Sequence, residues 1–443
     1  MAGRLPVSRV MQWPAAACLL LVCLPVAGQT ETPLTLEDAL REAHAANAKL
    51  PVSAFDVTIA RQKREEARAE RWLKVALEGD FIYAPPSGYD PILTNLGEFR
   101  SQVVARQPVY DGGARRAAIA ASEAEVASAG ARYRIAEKDL DLEVRSRFAE
   151  LLEAANEIEI RREGIERLTS YQTSLQSRRA AGQGVGADIL KTGVRLSVEQ
   201  ASLVEAEQRS DEARVALNDL MGRDVRGPLV PAPLPPPEKP TDLEGSAWAG
   251  APELAAAEAE TKAAEAQADV ARAEGKPHLF LGADVGFWGS DTSRWIPLDI
   301  RATDPDANFW DRVRRDAGYS FNLTFSWPLW DFGAIRARVA QADAALRQSR
   351  QKLEVERREA RRQWESAMLA LQNLYRQIEI LSRAAPDARD SYLDAESRYR
   401  GGAANALEVL DAYSASVEAG VRLAESVSRY RIARAVAQRW GAP

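Results

Sequence analysis

At 443 residues with a formal net charge of −6, the chain is long enough for a large core and too acidic to suggest a nucleic-acid partner. Only 7% of its residues are aromatic, while Ala, Glu and Arg abound, a composition of long helices rather than of a compact globule. Both cysteines, Cys18 and Cys23, fall in the first 28 residues, which leaves the rest without disulfide or thiolate chemistry.

Residues 1–28 read as a secretory signal peptide. Arg4 and Arg9 give a positive start, Ala15 to Val26 is apolar, and Val26-Ala27-Gly28 offers small residues for cleavage. The apolar run is short for a bilayer span, and Ala15-Ala16-Ala17-Cys18 is a poor lipid-anchor sequence. Losing this segment removes two positive charges and makes the chain more acidic still.

A first structural repeat is expected over 29–222: a helix, a strand pair at 73–84 and 99–110, and a long helical hairpin over 111–222. In the strands, Val75, Leu77, Phe81 and Tyr83 alternate with Ala76, Glu78 and Asp80, and Phe99, Val103 and Ala105 alternate with Arg100, Gln102 and Arg106. Ile119, Val126, Tyr133 and Leu140 fall at sevens, then Val144, Leu151, Ile158 and Ile165 after a four-residue step. That pattern is coiled-coil packing with one stutter. Nothing strongly breaks the helix from Ala114 to Ala180, about 100 Å at about 1.5 Å per residue. A Pro-rich linker follows at 223–245, extended by composition.

A second repeat is expected over 246–441, with strands at 278–288 and 318–330 and a hairpin over 331–441. Residues 108–214 recur at a constant offset of 220, so one unit has been duplicated. Pro108, Asp111 and Gly113 return as Pro328, Asp331 and Gly333, and Gly182 and Leu190 as Gly402 and Leu410. Trp364, Leu371 and Ile378 repeat the stutter. Pro386 should kink or locally break the second long helix. The loop from Gly289 to Gly318, with Trp295 and Trp310, is expected outside the barrel on the external side.

Each strand has the length of a tilted transmembrane strand, with one apolar and one polar face. Four strands cannot close a barrel, and an open edge cannot sit in lipid. The consistent solution is several subunits sharing one barrel, its polar face lining a pore.

The junctions Gln107-Pro108-Val109-Tyr110-Asp111-Gly112-Gly113 and Trp327-Pro328-Leu329-Trp330-Asp331-Phe332-Gly333 resemble those of the TolC-like outer membrane efflux proteins (outer membrane factors). So does the turn Tyr399-Arg400-Gly401-Gly402 with Leu407-Glu408-Val409-Leu410-Asp411; its first-copy equivalent, through Asp188-Ile189-Leu190, is a looser match. The resemblance covers essentially the whole chain after residue 28. It implies a mainly α fold with a membrane β part: a homotrimer whose 12-stranded barrel continues into a helical periplasmic tunnel. The linker at 223–245, with the C-terminal end, would girdle that tunnel.

The resemblance also implies an outer-membrane exit duct, working with a periplasmic adaptor (membrane fusion) protein and an inner-membrane pump or ABC exporter. Asp188, Glu408 and Asp411 would form the gate at the periplasmic tip, while Gly182, Gly184, Gly401, Gly402, Leu190 and Leu410 would meet the adaptor. Ala404 stands where the family pattern has a gate arginine. Read for themselves, the acidic residues suit helix N-termini, and Gly182, Gly184 and Gly186 follow a helix rather than a strand, unlike a phosphate loop. The two histidines, His44 and His278, show no metal-ligand spacing, no nucleophile-base set is present, and no cofactor is expected. A periplasmic adaptor, the main alternative, predicts one hairpin; this sequence has two.

Overall fold

The computed structural model describes residues 33–83, 97–182, 186–240, 247–292 and 294–440. The signal segment 1–28 with Cys18 and Cys23, Gly184, and most of the loop from Ala84 to Glu98 lie outside these residues.

The first repeat opens with two helices where the sequence suggested one. Helix α1 (Leu36–Ala46) is capped by Thr35, whose side chain accepts from the Asp38 amide, and α2 (Lys49–Ala69) begins after Asn47 turns the chain into extended geometry. Strands β1 (Lys74–Tyr83) and β2 (Gly97–Tyr110) follow, then α3 (Ala114–Ala180) and its return partner α4 (Gly186–Leu220). In the second repeat, α5 (Pro252–Ala273) precedes β3 (His278–Ser290), two short helices α6 (Leu298–Thr303) and α7 (Phe309–Asp316), and β4 (Ala317–Ser326). The hairpin of α8 (Ala334–Arg400) and α9 (Ala406–Arg439) completes it.

The four strands form one antiparallel sheet in sequence order, with β1 and β4 at its open edges. Cross-strand register aligns Leu77, Val103, Val285 and Tyr319 on one face. The opposite face carries the ion pairs Asp80–Arg100 and Glu78–Arg106, and Ser320 donating to Asp284 at 2.5 Å. Opposite charges thus meet across the strands on this face. Strand β4 stops at Ser326 rather than continuing to 330. Ser326 pairs with His278, the first residue of β3, so Trp327 to Trp330 have no strand beside them.

At each strand-to-helix junction an aspartate caps the helix from outside. Asp111 accepts from the amides of Gly113 (3.1 Å) and Arg115 (2.9 Å), and Asp331 from those of Gly333 (3.0 Å) and Ile335 (2.5 Å). Gly113 and Gly333 have φ of 96° and 91°, the left-handed conformation that re-aims the chain at no steric cost to glycine. Pro108 sits at a register shift in the β2–β3 ladder, where its missing N–H does least harm. Pro328 lies past the end of β4.

Helices α3 and α8 each run 67 residues without interruption. The stutter is visible in burial: Leu140, Val144 and Leu151 are buried in one, and Ala360, Trp364, Leu371 and Ile378 in the other. Fully burying a leucine, valine or isoleucine side chain of this kind contributes about 1.5–3 kcal/mol. Pro386 does not break α8. It faces solvent, and the loss of one hydrogen bond is absorbed by the remaining turns.

Below the sheet the long helices lie side by side in the order α4, α3, α9, α8. The proline stretch straps them: Leu34 and residues 230–232 exchange two backbone hydrogen bonds of 2.8 Å. The Tyr430 hydroxyl donates to the Glu238 carbonyl, and the Arg431 guanidinium to that of Leu234. Among the described residues no helix is long and apolar enough to cross a membrane.

Candidate functional site

The end of the helical layer far from the sheet holds both hairpin turns. Gly182 and Gly402 each have φ of 79°, and their amides donate to the Arg179 and Tyr399 carbonyls at 3.0 Å. A side chain on either glycine would point into open space, so both turns are sterically accessible. Gly401 is right-handed and needs no glycine for its backbone.

The sequence-matched leucines part company here. Leu190 is 72% exposed on α4, whereas Leu410 is buried in the tip core with Leu168, Tyr171, Tyr392, Val409 and Tyr413. Leu190 is therefore available to a partner and Leu410 is not.

The acidic residues also differ. Asp188 is half-buried in the first turn of α4; burial first, then the neighbouring Tyr399, and only then the Asp188 charge push the Tyr171 hydroxyl's pKa up. Glu408 lies in the first turn of α9, its amide donating to the Asn405 side chain at 2.9 Å. Its carboxylate accepts from Arg398 at 2.8 Å, a contact the sequence reading missed. Asp411 is exposed, one turn on, with no ion pair among the described residues. The chain thus offers one satisfied and one free carboxylate on the same helix end.

The two hairpins meet through three arginine–tyrosine contacts. Arg167, Arg178 and Arg195 of the first hairpin stand 6.0, 5.1 and 5.9 Å from the ring centres of Tyr392, Tyr399 and Tyr413 of the second. Arg178 also donates to the carbonyls of Tyr399 (3.1 Å) and Arg400, tying the end of α3 to the end of α8. Burial pushes the Tyr392 hydroxyl up to about 12, so it stays neutral at any physiological pH. Nothing in the heptad pattern marks these pairs. Tyrosine at a core position reads as packing, and the partners are more than 200 residues apart in sequence.

Behind the tip the first hairpin contains a buried ionic cluster. Arg161 donates to both Glu157 (2.8 Å) and Glu199 (2.9 Å), while Arg209 approaches Glu157 at 2.7 Å and Arg195 approaches Glu199 at 3.1 Å. Both carboxylates are only 3% exposed. Among the described residues no group of acidic, histidine or cysteine side chains could hold a metal ion.

A family model described as outer membrane efflux protein matches residues 39–223 and 243–438. Among solved structures, the fold is similar to the outer-membrane channel OprN at 21% identity, with 92% of this chain and 90% of that chain covered and a TM-score of 0.80. It is similar to the outer membrane protein VceC from Vibrio cholerae at 18% identity, with 92% and 96% covered and a TM-score of 0.78. The CmeC outer membrane channel of Campylobacter jejuni matches at 15% identity, with 98% and 93% covered and a TM-score of 0.79. No characterised protein matches by direct sequence comparison.

Proposed function

The chain belongs to the outer membrane efflux protein family, and on that premise we propose that it is one subunit of a homotrimeric exit duct gated at its periplasmic tip. Membership makes it a channel of the outer membrane with a helical part in the periplasm, and not an enzyme.

The observation that carries the assembly is a pair of matching open edges. In the sheet, β1 and β4 have no outer neighbours among the described residues. In the helical layer the outer helices are α4 and α8 in the hairpin half and α2 and α8 nearer the sheet, and they leave apolar side chains exposed: Leu190, Val194 and Val204 on α4, Phe55 and Ile59 on α2, and Val355, Leu369 and Ile380 on α8. An unpaired strand edge in hydrocarbon costs several kcal/mol per unsatisfied group. Three copies joined β4 to β1 and α8 to α4 and α2 satisfy both edges at once and close a barrel of twelve strands. The ion-paired face of the sheet then lines the pore.

Three-fold symmetry turns each exposed Asp411 into a ring of three carboxylates, with Glu408 and Asp188 nearby. The tip would open as an iris when an adaptor engages the exposed turns at Gly182 and Gly402. The energy comes from an inner-membrane pump or ABC exporter, and the cargo would be small molecules or polypeptide. The alternative, a periplasmic adaptor, is disfavoured by two hairpins and two strand pairs.

Reconstitution tests this reading. Detergent-extracted protein should run as a heat-resistant trimer and conduct in planar bilayers, with cation selectivity reduced several-fold by Glu408→Ala plus Asp411→Ala. A soluble monomer would sink the duct, and unchanged selectivity would sink the acidic ring.

A further inference from the structure

The 289–318 segment is not an open loop. Helix α7 folds back over the end of the sheet farthest from the long helices, with α6 tied to it through Arg315 and Asp299, and one arginine fastens it there. Arg312, only 6% exposed, donates to the carbonyls of Arg294 (2.6 Å), Trp295 (3.1 Å) and Ser290 (2.7 Å), and its Nε faces Asp316 at 3.3 Å. Its guanidinium also lies 5.0 Å from the Phe99 ring centre. Asn308 and Asp311 form a reciprocal capping box at the start of α7, so the fold-back has its own local order.

Beneath it is a cavity of about 640 Å³, walled chiefly by Phe81, Phe99, Phe287, Trp295, Phe309 and Trp310. That volume falls in the range of about 300–1,000 Å³ typical of small-molecule sites. Which face of the sheet it opens on decides what could fill it. Phe81 pairs with Phe99, and Phe287 with Ser101, which puts these rings on the face that carries Leu77, Val103, Val285 and Phe321. This is the lipid-facing side. Cargo in the pore meets only the opposite face, with Asp80, Arg100 and Asp284.

The geometry points to a lipid site: the cavity takes an acyl chain of a phosphate-bearing lipid from the surrounding leaflet, its phosphate turned to Arg294 at the mouth. The inference rests on the membrane placement of the sheet. The cavity is continuous with the bilayer-facing surface, so the hydrocarbon already there is the nearest occupant. Trp295 and Trp310 are largely exposed at its rim, as suits aromatic rings at the lipid–water boundary. Arg294 keeps an exposed guanidinium, held loosely by Asp291 at 3.6 Å, where a phosphate could approach. Arg312 is committed to backbone and to Asp316, and Asp316 to Arg312 and Arg315, leaving a mainly apolar interior.

The test uses the full chain reconstituted in dimyristoylphosphatidylglycerol vesicles, extracted into detergent, washed, and weighed intact by native mass spectrometry. Wild type should retain about one lipid per chain. Val313→Trp, which fills the cavity, should lower retention at least five-fold, and Arg294→Gln several-fold. Leu323→Trp, on the open sheet face, should leave it unchanged. Equal retention in all four proteins would mark the lipid as general annulus and overturn the site, as would retention of detergent alone. Because Arg294 is exposed, its variant reports even if Val313→Trp disturbs the fold-back. Heat-resistant, conducting Val313→Trp trimers that still hold lipid would refute this inference and leave the duct standing.

Discussion

The two hairpins share a backbone plan and turns of equal φ, yet they are held together by different chemistry. The first contains the ionic cluster of Glu157, Arg161, Arg195 and Glu199. At the positions 220 residues on, the second has Gln377, Leu381, Ala415 and Ala419. Conversely, the second supplies Tyr392, Tyr399 and Tyr413 to the tip, where the first has Gln172, Arg179 and Gly193. Even a shared residue has diverged: Arg178 reaches across to the other hairpin, while its counterpart Arg398 holds Glu408 within its own. Duplication fixed the tube, and divergence made the halves complementary. Arginines on one side now meet tyrosines on the other.

The largest effect should come from breaking the ionic cluster. Arg161→Met leaves two nearly buried carboxylates short of a partner and should destabilise the chain by about 3 kcal/mol. Installing the second hairpin's residues together, Glu157→Gln, Arg161→Leu, Arg195→Ala and Glu199→Ala, should fall within about 1 kcal/mol of wild type, because a buried ion network is often replaceable by apolar packing. Urea midpoints followed by circular dichroism measure both. A quadruple variant worse than the single one would mean that the hairpins differ for reasons other than charge.

A smaller effect is expected where the hairpins touch. A Cβ on Gly164 would lie 2.6 Å from the buried Tyr413 hydroxyl oxygen, whereas the second copy carries Ala384 at that position. Gly164→Ala gains about 1 kcal/mol of helix propensity and loses about 1–3 kcal/mol to overpacking, for a net loss. Tyr413→Phe should reverse that loss, since its hydroxyl has no hydrogen-bond partner among the described residues. Absence of rescue in the double variant would place the clash elsewhere.

Period and punctuation were legible in the sequence, and pairing across the repeats was not. Heptads, the stutter at Leu140–Val144, the four alternating segments and the Pro-Asp-Gly junctions all follow from local geometry. The end of β4 did not, because Trp327 and Leu329 continue the alternation after the partner strand has run out. Pro386 signalled a break that an exposed turn of a 67-residue helix tolerates. Leu190 and Leu410 look equivalent in sequence, but only the structure shows that a neighbouring hairpin covers one of them. The arginine–tyrosine contacts and the folded-back 289–318 segment depend on which elements become neighbours. No local window holds that information.

We propose that the interlocked hairpin ends form the closed gate of a trimeric duct. Single-channel conductance of Arg178→Ala plus Arg398→Ala in planar bilayers tests it most directly. These two substitutions release the cross-hairpin contacts to Tyr399 and Arg400 and the clamp on Glu408 while leaving the buried core in place. A conductance several-fold above wild type is the predicted result. Channels of unchanged conductance, from trimers as heat-resistant as wild type, would contradict the account.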